Sequence, residues 1–173
     1  MTQYFHIHPE NPQPRLIKQA VQIIRNGGVI AYPTDSAYAL GCHLGDKDAL
    51  AKIVRIRKLD DKHHFTLLCR DLSEIATYAK VDNATYRLLK AHTPGAYTFI
   101  LTGSSEVPRR LMHPKRKTIG LRVPDHAICQ ALLAELNEPL LTATLQLPDE
   151  SEPLFDPDDI LERLGKQLDL VIN

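Results

Sequence analysis

The chain has 173 residues, 43% of them hydrophobic, and its 21 Lys plus Arg are matched by 21 Asp plus Glu. This length suits one domain that buries its own core, and no apolar run approaches the ~20 residues of a membrane span. Cys42, Cys69 and Cys129 are odd in number, widely spaced and without a Cys-x-x-Cys pair, which argues against a disulfide framework or a zinc site. The expectation is a soluble, cytoplasmic protein with no signal peptide, no membrane partner and no bound metal. The neutral net charge conceals an asymmetry. Residues 149–173 are acidic, while Arg109, Arg110, Lys115, Arg116 and Lys117 form a basic run with no intervening acid. Such a run is either an ordinary solvated surface or a phosphate-backbone footprint.

The elements follow in chain order. Leu16, Ile17, Ala20, Val21, Ile23 and Ile24 share one face of a helix over 15–26, with Pro14 in its first turn and Gly27-Gly28 as its stop. Residues 28–32 and 37–42 read as buried strands. Asp46 caps a helix reaching Lys58, and a polar loop over 60–64 leads to a strand over 65–69. Helices follow at 73–79 and 83–92, the second capped by Asp82. A strand over 96–101 precedes the basic loop, which holds a short helical turn at 109–112. A strand over 118–123, a helix over 126–136 capped by Asp125, and a strand over 140–147 come next. Asp149–Glu152 is an exposed acidic loop, Asp156-Pro157 starts a helix ending near Lys166, and 169–172 is the last strand. The alternation of strands and helices gives an α/β fold: a single domain with a twisted mixed sheet flanked by helices.

Chemistry-bearing residues concentrate in few places. Pro33-Thr34-Asp35-Ser36 interrupts two apolar strands with two hydroxyls and a carboxylate, where a scaffold commonly presents a site. A turn joining the strands is the simpler alternative, and the loop alone does not separate the two. In Thr118-Ile119-Gly120-Leu121-Arg122-Val123, alternation places Thr118, Gly120 and Arg122 on one strand face. An arginine beside a glycine that permits close approach suits a carboxylate or phosphate clamp. No Gly-x-x-x-x-Gly-Lys phosphate loop and no dinucleotide glycine turn occurs.

The stretch Pro33-Thr34-Asp35-Ser36-Ala37-Tyr38-Ala39-Leu40-Gly41 resembles the Pro-Thr-Glu-Thr-x-Tyr-Gly-Leu-Gly signature of the YrdC family, in the form found in its YciO branch. The text from Phe5 to Ile17 is similar to the same branch, and the resemblance runs along essentially the whole chain. It implies a YrdC-like domain over 1–173 that lacks the family's C-terminal strand segment. In the YrdC pattern Lys-x-Arg-Pro contacts nucleotide phosphates; here Arg57 matches the Arg while Arg55 and Lys58 replace the Lys and Pro. Thr93-Pro94-Gly95-Ala96-Tyr97-Thr98-Phe99-Ile100-Leu101 resembles the family's Trp-Pro-Gly-Pro-x-Thr-x-Ile-Leu. The family's Pro-Ser-Ala-Asn-x-Ser-Gly aligns with Ala143–Asp149, so Thr144 keeps a hydroxyl and Gln146 replaces the Asn. The family histidine that faces the amino-acid substrate aligns with Cys69.

The resemblance therefore implies substrate contacts at Thr34, Ser36, Arg122 and Cys69, and nucleotide contacts at Arg55, Arg57, Thr118, Thr144 and Gln146. The basic residues Arg109, Arg110, Lys115, Arg116 and Lys117 are the expected RNA surface, for tRNA or double-stranded RNA. ATP is the expected substrate, with Mg²⁺ arriving alongside it and threonine as a further partner, and no tightly bound cofactor is implied. The expected function is RNA and nucleotide binding with weak or altered L-threonylcarbamoyladenylate synthase activity, a nucleotidyl transfer. The alternatives are a fully active synthase in tRNA modification and an adenylating or carbamoylating enzyme for another substrate.

Overall fold

A computed structural model describes residues 2–58 and 65–173. The polar loop expected at 60–64 lies outside the described residues. One eight-stranded sheet organises the chain. Its strands are β1 (Gln3–Phe5), β2 (Ile30–Tyr32), β3 (Ala39–His43), β4 (Thr66–Leu68), β5 (Phe99–Thr102), β6 (Thr118–Arg122), β7 (Leu140–Thr144) and β8 (Leu170–Ile172). They lie in the order β1-β8-β2-β3-β7-β4-β6-β5. The β1–β8, β2–β8 and β4–β6 pairs are parallel, and β2–β3, β3–β7, β4–β7 and β5–β6 are antiparallel, which makes the sheet mixed as expected.

Period-two alternation divides the sheet into two unequal faces. Leu40, Cys42, Leu67, Cys69, Ile119, Leu121 and Leu141 point into the larger core. That core is closed by α2 (Lys47–Arg57), α3 (Leu72–Tyr78), α4 (Asn83–His92) and α6 (Pro157–Leu164), through residues such as Ile53, Ile75, Leu89 and Ile160. Ile30, Tyr32, Leu68, Leu140, Leu170 and Ile172 point the other way, under α1 (Pro14–Arg25) and α5 (Ala127–Leu136). Two helices do not span eight strands, so part of this second face is left open, and the candidate site occupies it.

Local chemistry sets most boundaries. The α1 face buries Ile17, Ala20, Val21 and Ile24, and Gly27 ends the helix at φ +91°, a conformation that glycine adopts at little cost. The carboxylates of Asp46, Asp71, Asp82 and Asp156 accept backbone N–H bonds at the starts of α2, α3, α4 and α6.

Several boundaries differ from expectation. The strand β1 was not anticipated: it has three residues and is held by parallel pairing to β8. The strand expected to reach Leu147 ends at Thr144, where the Gln146 N–H turns back to the Thr144 carbonyl at 2.9 Å. Asp125 does not cap α5. His126 holds the cap position without a side-chain bond, and the Asp125 backbone N–H instead donates to Asp35 Oδ2 at 2.9 Å.

Candidate ligand-binding cleft

The strand register assembles the cleft floor. Gly41 lies opposite Thr142, Thr142 opposite Thr66, and Thr66 opposite Gly120, in one row across β3, β7, β4 and β6. Thr144 lies opposite Ala39 at the next same-face position. Alternation therefore aims Thr66, Thr142 and Thr144 at the open face. A Cβ on Gly120 would lie 2.7 Å from Thr66 Oγ1 and 3.1 Å from Thr98 Cγ2, so the absence of a side chain lets these two threonines close over β6.

Arg122 completes the group from the end of β6. It is 9% exposed, its Nε–H donates to the Gly95 carbonyl at 3.2 Å, and its Nη2 pairs with Asp35 Oδ1. Burial pulls the guanidinium below its ordinary pKa, but an arginine remains charged. Two of its donors are fixed by protein oxygens and Nη2 is enclosed by protein, which leaves Nη1 as the donor group for the cavity. That cavity, of about 60 Å³, is lined by Arg122, Thr66, Thr98, Thr142, Thr144, Tyr38 and the loop residues Thr34 and Ser36. It is a polar pocket with one cation and a ring of hydroxyls, of a size for a small anionic group.

The Pro33–Ser36 loop is held rather than mobile. The Thr34 hydroxyl donates to the Ala37 carbonyl at 2.6 Å and accepts the Ser36 and Ala37 N–H groups, both at 3.1 Å. Its hydrogen-bonding capacity is used within the loop, so Thr34 shapes the cleft wall. The Cys129 thiol donates to the Pro33 carbonyl at 3.3 Å, and Asp35 ties the loop to Arg122 and Asp125.

Other expected site residues lie elsewhere. Cys69 is fully buried and points into the larger core with Leu67, on the face opposite Thr66, and burial raises its thiol pKa well above the ordinary value. The structure does not bring it to the cleft. Thr118 lies at the end of β6 remote from Arg122, about 13 Å away along an extended strand, and does not line the cavity.

Arg57 and Arg55 separate. Arg57 is half-buried and donates through Nε to the Gln146 carbonyl at 3.2 Å, just beyond Thr144, while burial lowers its pKa. Arg55 is exposed and lines a different groove of about 1080 Å³ with Lys52 and Lys166, so it does not join the cleft. The Gln146 side chain donates to the Glu150 carbonyl at 2.9 Å. Arg109 and Arg110 lie on a short turn, and Lys115, Arg116 and Lys117 are exposed in the same segment. This segment leads into the Thr118 end of β6 and forms a surface separate from the cleft.

The sequence pattern draws attention to Asp35, Tyr38 and Thr98 without assigning them a contact, and it does not mark Thr66 or Thr142 as site residues. Thr142 was within reach of the pattern, since Thr142-Ala143-Thr144 puts both threonines on one strand face. Among the described residues, no three His, Cys, Asp or Glu side chains form a group able to hold a metal, and no helix is long and apolar enough to cross a membrane.

The Sua5/YciO/YrdC family model, described as telomere recombination, matches residues 22–173. The chain belongs to this family. It is 60% identical over 173 residues to the protein YciO of Escherichia coli (strain K12), covering 100% of this chain and 84% of that one. The crystal structure of E. coli YciO superimposes with a TM-score of 0.96, covering 99% of this chain and 84% of the other. A threonylcarbamoyl-AMP synthase of Coxiella burnetii is 29% identical over 158 residues, 90% of this chain and 83% of the synthase. P. abyssi Sua5 complexed with L-threonine shares the fold, with a TM-score of 0.89 at 22% identity over 99% of this chain and 50% of that one.

Proposed function

We propose that the protein binds a nucleotide and a small carboxylate-bearing substrate in the Arg122 cleft and carries out threonylcarbamoyladenylate synthase-like nucleotidyl transfer weakly or on an altered substrate. RNA, either tRNA or double-stranded RNA, binds the Arg109–Lys117 surface. The observation that carries the reading is the convergence of Arg122 with Thr66, Thr142 and Thr144 on the open face of the sheet. A fixed cation among hydroxyl donors orients a carboxylate and stabilises charge that develops on a carbonyl group. Arg57, held beyond Thr144 at the Gln146 carbonyl, supplies positive charge for nucleotide phosphates, and Mg²⁺ enters with them. Relatives named threonylcarbamoyl-AMP synthase support the reaction class. The inward Cys69 thiol and the Gln146 amide turned to Glu150 support the weakness or alteration, because these two expected contacts do not face the cavity, and Thr34, which lines it, spends its hydroxyl within the loop.

The test is pyrophosphate release from ATP with L-threonine and bicarbonate. Slow release that requires threonine and is lost in Arg122→Ala supports the reading. Release at the same rate without threonine, or unaffected by Arg122→Ala, overturns it.

A further inference from the structure

The net charge of the cleft is decided by a residue behind its wall. Arg122 is the one charged side chain among the described residues lining the cavity, and Asp35, which does not line it, pairs with the Arg122 Nη2. Asp35 is itself fixed, since its second oxygen accepts the Asp125 N–H at 2.9 Å and its side chain is 13% exposed. The pair is thus a preorganised, internally neutral unit. The Arg122 Nε is also committed, to the Gly95 carbonyl, and Nη2 is enclosed by protein, so the donors left for a ligand are those of Nη1.

We propose that Asp35 is a selectivity-determining residue. By compensating Arg122 it reserves the cavity for a singly charged or zwitterionic carboxylate and keeps doubly charged phosphate out of that position. A carboxylate accepts from the guanidinium through Nη1 and completes its hydrogen bonds with neutral donors. The surrounding hydroxyls of Thr66, Thr142 and Thr144 supply neutral donors without adding charge. A phosphate dianion entering a pocket of about 60 Å³ would lose its hydration and meet no net positive charge. Phosphate groups of a nucleotide are then directed to the Arg57 side. This rests on the reading of the cleft as a ligand site.

The experiment follows the Arg122 Nε–H resonance and the β6 amides by NMR in wild type, Asp35→Asn and Asp35→Glu. The probes are L-threonine and inorganic phosphate. In the wild type, threonine is expected to shift Arg122 and phosphate is not. In Asp35→Asn the phosphate-to-threonine affinity ratio rises about tenfold or more, tenfold being the scale on which one unit charge a few ångströms away acts under water-like screening. Asp35→Glu, which keeps the charge, preserves the wild-type preference. An unchanged ratio in Asp35→Asn alongside threonine binding overturns the selectivity role alone. Absence of any Arg122 shift in the wild type overturns the cleft reading and this inference with it. Should Asp35→Asn not fold, the wild type still decides, because phosphate shifting Arg122 as readily as threonine contradicts the proposal.

Discussion

The Tyr32 and Thr142 hydroxyls meet at 2.5 Å beneath the cleft floor, joining a fully buried β2 side chain to a threonine whose strand face lines the cavity. Burial holds the Tyr32 phenol far above its ordinary pKa, so it remains a neutral hydroxyl at all physiological pH values. Tyr32→Phe removes one partner and leaves Thr142 to re-aim its hydroxyl. The expected cost is about 1–2 kcal/mol of unfolding free energy, read by urea denaturation, with a fold retained by circular dichroism. The Thr142 backbone amide shifts in the NMR spectrum while amides of α2 do not.

Gly120 is where the floor is thinnest. An alanine there would put its Cβ 2.7 Å from Thr66 Oγ1 and 3.1 Å from both the Phe65 carbonyl oxygen and Thr98 Cγ2. Backbone on one side and a threonine methyl on the other leave little to yield, so Gly120→Ala is expected to cost about 1–3 kcal/mol. Because the displaced Thr66 and Thr98 line the cavity, ligand affinity by isothermal titration falls more than in an alanine substitution at the exposed Ser105.

The thiols give a pH dependence of defined sign. Burial pushes Cys42 and Cys129 up from 9.0 to about 12, and Cys69 also rises for the same cause. The unfolded chain ionises near 9.0, whereas the folded chain holds its protons to about 12. Their contribution to stability is therefore fully present below about pH 9 and lost as pH rises toward about 12. Denaturation midpoints should hold steady below about pH 9 and fall above it, beyond the loss seen in a variant with all three cysteines replaced by alanine. In native protein at about pH 8, a thiol reagent should find no rapidly reacting cysteine, and all three after unfolding.

The basic segment and the cleft are expected to behave as separable surfaces. An Arg116→Ala, Lys117→Ala double variant should weaken RNA binding and reduce its dependence on salt by about one unit of log–log slope or more, as lost phosphate contacts require. Threonine-dependent pyrophosphate release by the same variant should remain within about twofold, because additive, unlinked effects are expected for distant sites.

Much of this architecture was readable in the residues. Pro14, Gly27 and the carboxylates of Asp46, Asp82 and Asp156 mark helix ends through local chemistry, and the structure places those ends within a residue or two. The β6 alternation was equally local, and Ile119 and Leu121 do enter one core while Gly120 and Arg122 face the other side. What failed was mostly non-local. The three residues of β1 carry too little pattern to announce a strand that only pairing with β8 creates. The partner of Arg122 is Asp35, from a different strand connection, and no spacing rule links the two.

Two misplacements were legible in periodicity. Cys69 follows Leu67 by two residues and so shares its core-facing side, opposite Thr66. Arg55 and Arg57 are two apart on one helix, which points them to different sides, Arg57 toward Gln146 and Arg55 into the Lys52–Lys166 groove.

The most direct test of the central claim is an NMR titration of the wild-type protein with ATP and L-threonine, following backbone amides together with arginine Nε–H groups. Threonine is expected to shift Arg122, Thr66, Thr142 and Thr144, and ATP to shift Arg57 and the residues after Thr144. Shifts confined to the Lys52–Lys166 groove or to the Arg109–Lys117 segment, with Arg122 unmoved, would contradict that claim.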